Sequence, residues 1–168
     1  MTALPVELVP TGPEHAELIR NLYQYYAYES SDWEDEDVEV DGRFYVHEAH
    51  FARYWDSPQW SASLILVDGF IAGFVLVEAS ELPGFEDALE LADLFVLKKY
   101  RRQGVARTVA MQMLTGGTHS WLVRLYPQDE PAAAFWEALM ADLPRTVQRV
   151  EPGDDPQLLT YQVSARPH

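Results

Sequence analysis

The sequence predicts one α/β domain, on three observations. Apolar runs of strand-like length alternate with segments of helical period in the order β-α-α-β-β-β-α-β-α-β-β. Asp68-Gly69 separates two apolar runs and is a favoured two-residue hairpin turn. Leu89–Leu97, apolar on both faces except at Glu90 and Asp93, runs into a basic turn and then a helix, as a central strand of a sheet would. No linker-like stretch or internal repeat divides residues 1–168, so they read as a single domain.

Val6–Val9 is the first strand. Thr11-Gly-Pro-Glu14 has the spacing of a capping box with proline in the first turn. The helix after it carries Leu18, Ile19, Leu22, Tyr23 and Tyr26 on one stripe and is expected to end near Glu29. Ser30–Gly42 holds seven acids, and like charges at that density predict a solvated loop. His47–Tyr54 is a second short helix, stopped by Asp56-Ser-Pro58. Ala62–Val67 and Phe70–Glu78 form the hairpin, and Glu81–Asp87 is a loop. After Leu89–Leu97 come a helix over Gly104–Thr115, stopped by Gly116-Gly117, a strand over Trp121–Tyr126, and a helix over Pro131–Ala141 opened by Asp129 or Glu130. Thr146–Glu151 and Leu158–Ser164 read as a closing hairpin.

Composition narrows the function. With 48% hydrophobic and 23% charged residues the chain has a globular balance, which excludes disorder and low-complexity classes. The absence of cysteine removes disulfide scaffolds, zinc–thiolate centres, iron–sulfur clusters and cysteine nucleophiles. The five histidines match no compact metal motif, so no metal is expected. No basic-then-apolar leader and no apolar run of membrane length is seen, which makes a cytoplasmic location the default expectation. A net charge of −15 disfavours nucleic acid and anionic membrane as partners and favours cations.

Against that background, Lys98, Lys99, Arg101, Arg102 and Arg107 place five of twelve basic residues in one ten-residue window. The window lies between a strand and the start of a helix. The first N–H groups of a helix lack internal partners and sit at the positive end of its dipole, so they attract anions. Gly104 admits close backbone approach, Ala106 is small, and Arg101, Arg102 and Arg107 can make charge-assisted hydrogen bonds. Neither the GxxxxGK[ST] loop nor the GxGxxG fingerprint is present. An exposed helix start with solvated arginines is the alternative reading of this segment.

Arg101-Arg-Gln-Gly-Val-Ala106 matches [Q/R]-x-x-G-x-[G/A], and with the strand before it, the helix after it and the element order the chain resembles the GNAT N-acetyltransferase superfamily. That resemblance implies a mixed sheet of about seven strands with helices on both faces and a splayed central strand pair that holds acetyl-CoA. It implies that the backbone of Gln103, Gly104, Val105 and Ala106, with Arg101, Arg102 and Arg107, grips the pyrophosphate. Leu94, Phe95 and Val96 would line the pantetheine arm, with the backbone of Leu94 and Val96 pairing to it as an added strand. The amide at Leu94 would polarise the thioester carbonyl.

The implied reaction is direct acetyl transfer to a primary amine. It needs a base, because only the neutral amine attacks. Glu90, four residues before Leu94, takes that role by resemblance. In a regular strand Glu90 and Asp93 face opposite ways, so only one reaches the cleft unless a bulge intervenes. The resemblance also puts Asp129 among the cofactor-binding residues, at the place of the family's Asn after the fifth strand, and Trp136 at the place of its later Tyr acid, and indole cannot protonate a thiolate. Tyr126 and Tyr161 are the candidate substitutes.

In this fold the first two helices, their connecting loop and the last hairpin wall the acceptor. Here that wall contains Trp33, Glu34 and Asp35 from the acidic segment, and Glu151, Asp154 and Asp155 from the hairpin. Acids would draw in a cationic small-molecule amine, and Trp33, Tyr25, Tyr28 and Trp55 could add cation–π contacts. A solvated acidic loop with core aromatics is the alternative. Two other functions stay open: a CoA-binding sensor that has lost catalysis, and a module whose acidic loop binds a basic protein. A homodimer is one option for assembly, since many members of the fold dimerise.

Overall fold

The computed structural model describes residues 4–150 and 158–165. Glu151, Asp154 and Asp155 lie outside the described residues.

The chain runs through β1 (Val6–Pro10), a 3-10 turn (Pro13–His15), α1 (Ala16–Glu34), α2 (Glu48–Asp56), β2 (Ser61–Val67), β3 (Phe70–Ala79) and β4 (Leu89–Val96). It continues with a 3-10 turn (Lys98–Tyr100), α3 (Val105–Thr115), β5 (Trp121–Leu125), α4 (Glu130–Asp142), β6 (Val147–Val150) and β7 (Leu159–Val163). Seven strands form one sheet in the order β1-β2-β3-β4-β5-β7-β6, with β4 at its centre. All neighbours are antiparallel except β4 and β5. The β2–β3 turn has left-handed backbone at Asp68 (φ 51°) and Gly69 (φ 81°), the type I′ geometry that matches strand twist.

Alternation along the strands builds two cores. Ile65, Val67, Val75 and Val77 pack against Val109 and Leu114 of α3 and Trp136 and Leu139 of α4. Ala62, Leu64, Phe74 and Leu76 point the other way, against Ile19 and Leu22 of α1 and Phe51 and Tyr54 of α2. The fold class is therefore mixed α/β with helices on both faces. Among the described residues no helix is long and apolar enough to cross a membrane.

Two local expectations need correction. Helix α1 extends through Glu34, five residues past Glu29, because its last turn buries Ser30 and sets Trp33 against Tyr126 with ring centroids 5.3 Å apart. Those contacts outweigh repulsion among acids that can turn to solvent. Nor does Thr11 cap the following turn. Its hydroxyl donates to the Ala62 carbonyl (2.7 Å), and the Gly12 N–H is met by His15 Nδ1 (3.3 Å) instead.

The feature that positions the site is a bulge in β4. Leu76 lies opposite Asp93, whereas the next residue, Val77, lies opposite Leu91, so Ala92 is the extra residue. The bulge reverses the side-chain phase. Asp93 shares the face of Leu76, and Glu90 shares that of Glu78, so both acids project toward α1 and α2.

Strands β3 and β4 also approach closely. A Cβ at Gly73 would run into the Phe95 carbonyl oxygen, a backbone atom that cannot swing aside. Gly73→Ala is expected to destabilise the fold by about 3 kcal/mol, in the range of overpacked cores. Urea unfolding should show this as a lower midpoint, and an unchanged midpoint would mean the strands separate freely here.

Candidate active site

Strand β4 pairs with β5 only through Leu89 opposite Trp121 and Glu90 opposite Leu122, and then the two part. Meanwhile β5 is paired along its other edge with β7. From Leu91 to Val96, β4 is left with an edge that no described strand covers. A bulged strand bends, which accounts for the divergence just where Ala92 is inserted.

The gap is a cleft with two arms. The outer arm, about 490 Å³, runs between the last turns of α1 and the start of α4, and Leu94, Phe95, Val96, Arg101 and Ala106 are among its walls. The inner arm, about 220 Å³, is lined by Tyr23, Glu34, Glu36, Asp93, Arg124 and Tyr126 among others. Tyr26, Trp33, Leu94 and Asp129 line both arms. A further hollow of about 280 Å³ at Gly104–Arg107 shares Val96, Arg101, Ala106 and Phe135 with the outer arm, so the groove extends to the start of α3.

That helix start could hold an anion. Arg102 (φ 63°) and Gly104 (φ 77°) adopt left-handed backbone on either side of Gln103, and α3 begins directly after Gly104. Its first turn has no side-chain cap, whereas His47 caps α2 and Asp129 caps α4 through Ala132 N–H at 3.2 Å. The first N–H groups of α3 thus remain available at the positive end of the dipole. This loop and the bare edge of β4 suit a phosphate-bearing ligand with an amide-rich arm.

Two of the three arginines have partners within the protein. The Arg101 Nε donates to the Val96 carbonyl (2.8 Å), and its Nη2 pairs with Glu29 Oε1 on α1 (2.6 Å). Arg107 pairs with Asp142 (2.8 Å). Arg102 is exposed.

Among the acids, Glu90 and Asp93 occupy different places. Glu90 sits where β4 and β5 are still paired, with Arg124 Nη1 at 3.9 Å, and lines neither arm. Asp93, partly buried, is on the wall of the inner arm and hydrogen-bonds Tyr26. Its carboxyl is pushed up to about 7, chiefly by burial. The Tyr26 hydrogen bond pulls it down, while the charges of Glu78, Glu90 and Glu34 push it further up. The Tyr26 hydroxyl is raised in turn, first by the Asp93 charge and then by burial.

Of the expected acceptor wall, Trp33 and Glu34 reach the inner arm. Asp35 does not: it closes α1 in left-handed backbone (φ 56°) and is exposed. Tyr25 and Tyr28 point to solvent, and the Trp55 indole N–H donates to Thr11 (3.0 Å) at the far side of α2. Trp136 is a core residue that also lines the cleft, and Tyr161 packs on the core across from Val123. Tyr126 faces the inner arm. Among the described residues no group of three or more metal-binding side chains is assembled.

The resemblance points to Glu90 as the base; in the structure Asp93 lies on the wall of the inner arm, while Glu90 lies where β4 and β5 are still paired. Only the two-against-one pairing with β3 identifies the bulge, and a single strand's sequence does not carry that count.

The architecture has close parallels. The chain matches an acetyltransferase from Thermus thermophilus over all of both chains, with a TM-score of 0.67 and 18% identity. It matches the diaminobutyrate acetyltransferase of Paenibacillus lautus, solved with L-2,4-diaminobutyric acid and coenzyme A, over 97% of this chain and 96% of that one (TM-score 0.62, 12% identity). An N-acetyltransferase from Thermoplasma acidophilum in complex with coenzyme A aligns over 95% and 98% (TM-score 0.59, 12% identity). No curated protein matches the chain in sequence. The model of the acetyltransferase (GNAT) family matches residues 19–140, which span α1 to α4 and every wall of the cleft. With that match over most of its length, the chain belongs to the GNAT acetyltransferase family.

Proposed function

We propose that the protein transfers an acetyl group from acetyl-CoA to the primary amine of a small cationic acceptor, by direct attack in a ternary complex. The observation that carries this reading is Asp93: a carboxyl poised near neutrality on the wall of a cleft whose other arm leads to an uncapped helix start. When bound, acetyl-CoA supplies a thioester whose acyl carbon the amine can attack. The α3 N–H groups and Arg102 hold the pyrophosphate, and the bare edge of β4 holds the pantetheine arm.

Asp93 takes the proton that the ammonium must lose, and a base with a pKa near the working pH is the most effective for that transfer. The N–H at Leu94, beside Asp93, serves the thioester carbonyl as the C–N bond forms and the C–S bond breaks. Trp136 cannot return a proton to the departing thiolate, and Tyr126 supplies a phenol on the wall of the inner arm. Glu34, Glu36 and Asp93 make that arm attractive to a cation, and Trp33 offers an aromatic face.

The neighbours' acceptors are consistent with this class. One is the diaminobutyrate acetyltransferase above, and another is a spermidine N-acetyltransferase chimera. Thiol release from acetyl-CoA over a panel of primary amines tests the reading. Release with cationic aliphatic amines is the expected result, and none with any amine, in a protein that binds acetyl-CoA, would leave the sensor reading. Trp136 at the place of the usual proton donor favours that second reading.

The Glu29–Arg101 pair ties up a guanidinium at the cleft mouth. Glu29→Gln is expected to tighten acetyl-CoA binding about two- to five-fold, the scale of an exposed ion pair. Calorimetry checks it, and weaker binding would mean Glu29 organises the loop.

A further inference from the structure

Beyond Asp93 lies a separate cavity of about 150 Å³, walled by residues of α1, the segment before α2, α2, β3 and β4. Tyr23, Tyr45, Tyr54, His50, Glu78 and Asp93 are among its walls, and neither lysine nor arginine lines it. Asp93 and Tyr23 also line the inner arm, so the two spaces share walls at the carboxylate.

Glu78 is the second acid of this cavity. The Tyr54 hydroxyl donates to its Oε2 (2.6 Å), and His50 Nε2 lies 3.3 Å from the same oxygen. Both contacts fall on Oε2, which leaves Oε1 with no hydrogen-bond partner among the described residues. The side chain is 20% exposed, so a ligand can reach it. The Asp93 carboxyl on this wall feels the charges of Glu78, Glu90 and Glu34, and of these Glu78 alone also lines the cavity, with His50 beside it. The cavity thus combines surplus negative charge, phenol faces and an unused carboxylate oxygen, in a volume that admits the end of an aminoalkyl chain but not a bulky group.

We propose that this cavity receives a second ammonium group of the acceptor, with Glu78 as the specificity-determining residue. The acceptor is then a compact diamine, its reacting nitrogen at Asp93 and its distal nitrogen against Glu78 Oε1 and the tyrosines. This rests on the amine-acceptor reading above and adds to it a site for the part of the substrate that does not react. A charge-assisted hydrogen bond in a partly buried site discriminates strongly against an analogue that lacks the charged group.

The test compares butylamine with butane-1,4-diamine, and shorter and longer pairs of the same kind, on the wild type and on Glu78→Gln. The amide oxygen of the variant still accepts from Tyr54, so the fold is retained, and a melting curve verifies that. The wild type is expected to favour the diamine of the best length by about ten-fold or more in kcat/KM, and the variant to bring that ratio close to one. Equal rates for the two amines in the wild type, or a preference that persists in Glu78→Gln, would overturn the proposal. Calorimetric binding of the same diamine gives a readout that needs no turnover. Binding that weakens in Glu78→Gln, in a protein that acetylates no amine, would uphold the cavity while the transfer reading falls. Diamine binding equal in the two proteins would reject the cavity whatever the activity.

Discussion

Asp93→Asn is expected to lower kcat/KM for amine acetylation by about 100- to 10,000-fold, the usual contribution of a positioned base. The substitution keeps the shape and a hydrogen-bond acceptor for Tyr26, so acetyl-CoA affinity should barely change. The pH profile gives the sharper reading. In the wild type the base form of Asp93 appears as pH rises through about 7, and activity should rise with it. In the variant that rise should vanish.

Stability has the opposite sign. The folded carboxyl binds its proton more tightly than the unfolded one, so between its ordinary value of 3.8 and about 7 the native state holds more protons. Stability from this group is therefore fully present at low pH and declines as pH climbs through that window. Thermal melts of the wild type should show this decline, and Asp93→Asn should flatten it. Retained activity with the same rise near neutrality would move the base elsewhere, with Glu90 the next residue to test. Glu90→Gln is expected to lose far less, because Glu90 stands at the closed end of the strand pair beside Arg124.

Gly104→Asp is expected to abolish measurable acetyl-CoA binding, a loss of about 100-fold or more when a fixed anion replaces a phosphate at a helix start. Gly104 has φ 77°, a conformation aspartate tolerates better than most residues, and a Cβ there meets no atom within 4 Å. The variant should fold. Its carboxylate would lie at the first turn of α3 and take the N–H groups that the proposal gives to pyrophosphate. Unchanged calorimetric affinity in a folded protein would mean that the coenzyme is held somewhere else, and the proposed reaction would lose its foundation.

The readable parts of the site are those in which chemistry is local. A strand, a turn with Gly104 and clustered cations, and a helix are contiguous from Leu89 to Thr115, so the element proposed to hold the phosphates can be located from the sequence alone. By the resemblance Asp129 is a cofactor-binding candidate, and its side chain caps α4 while lining the cleft. The end of α1 is not legible in the same way. Charge density is a local signal, whereas the docking of Trp33 on Tyr126 joins residues far apart in the chain. The same applies to Arg101. Its motif position suggests a phosphate, yet Glu29, seventy-two residues earlier, meets its guanidinium across the cleft mouth.

Taken alone, the sequence determined the element order, the hairpin at Asp68-Gly69, the central place of β4 and the membership that its motif signals. These follow from periodicity, turn chemistry and composition, which act over a few residues. Tertiary structure decided which carboxylate faces the cleft, which cations are already paired, and that a second cavity lies behind Asp93. Each depends on register between distant segments: one extra residue, Ala92, inverts the face of every side chain that follows it, and the inversion exists only relative to β3.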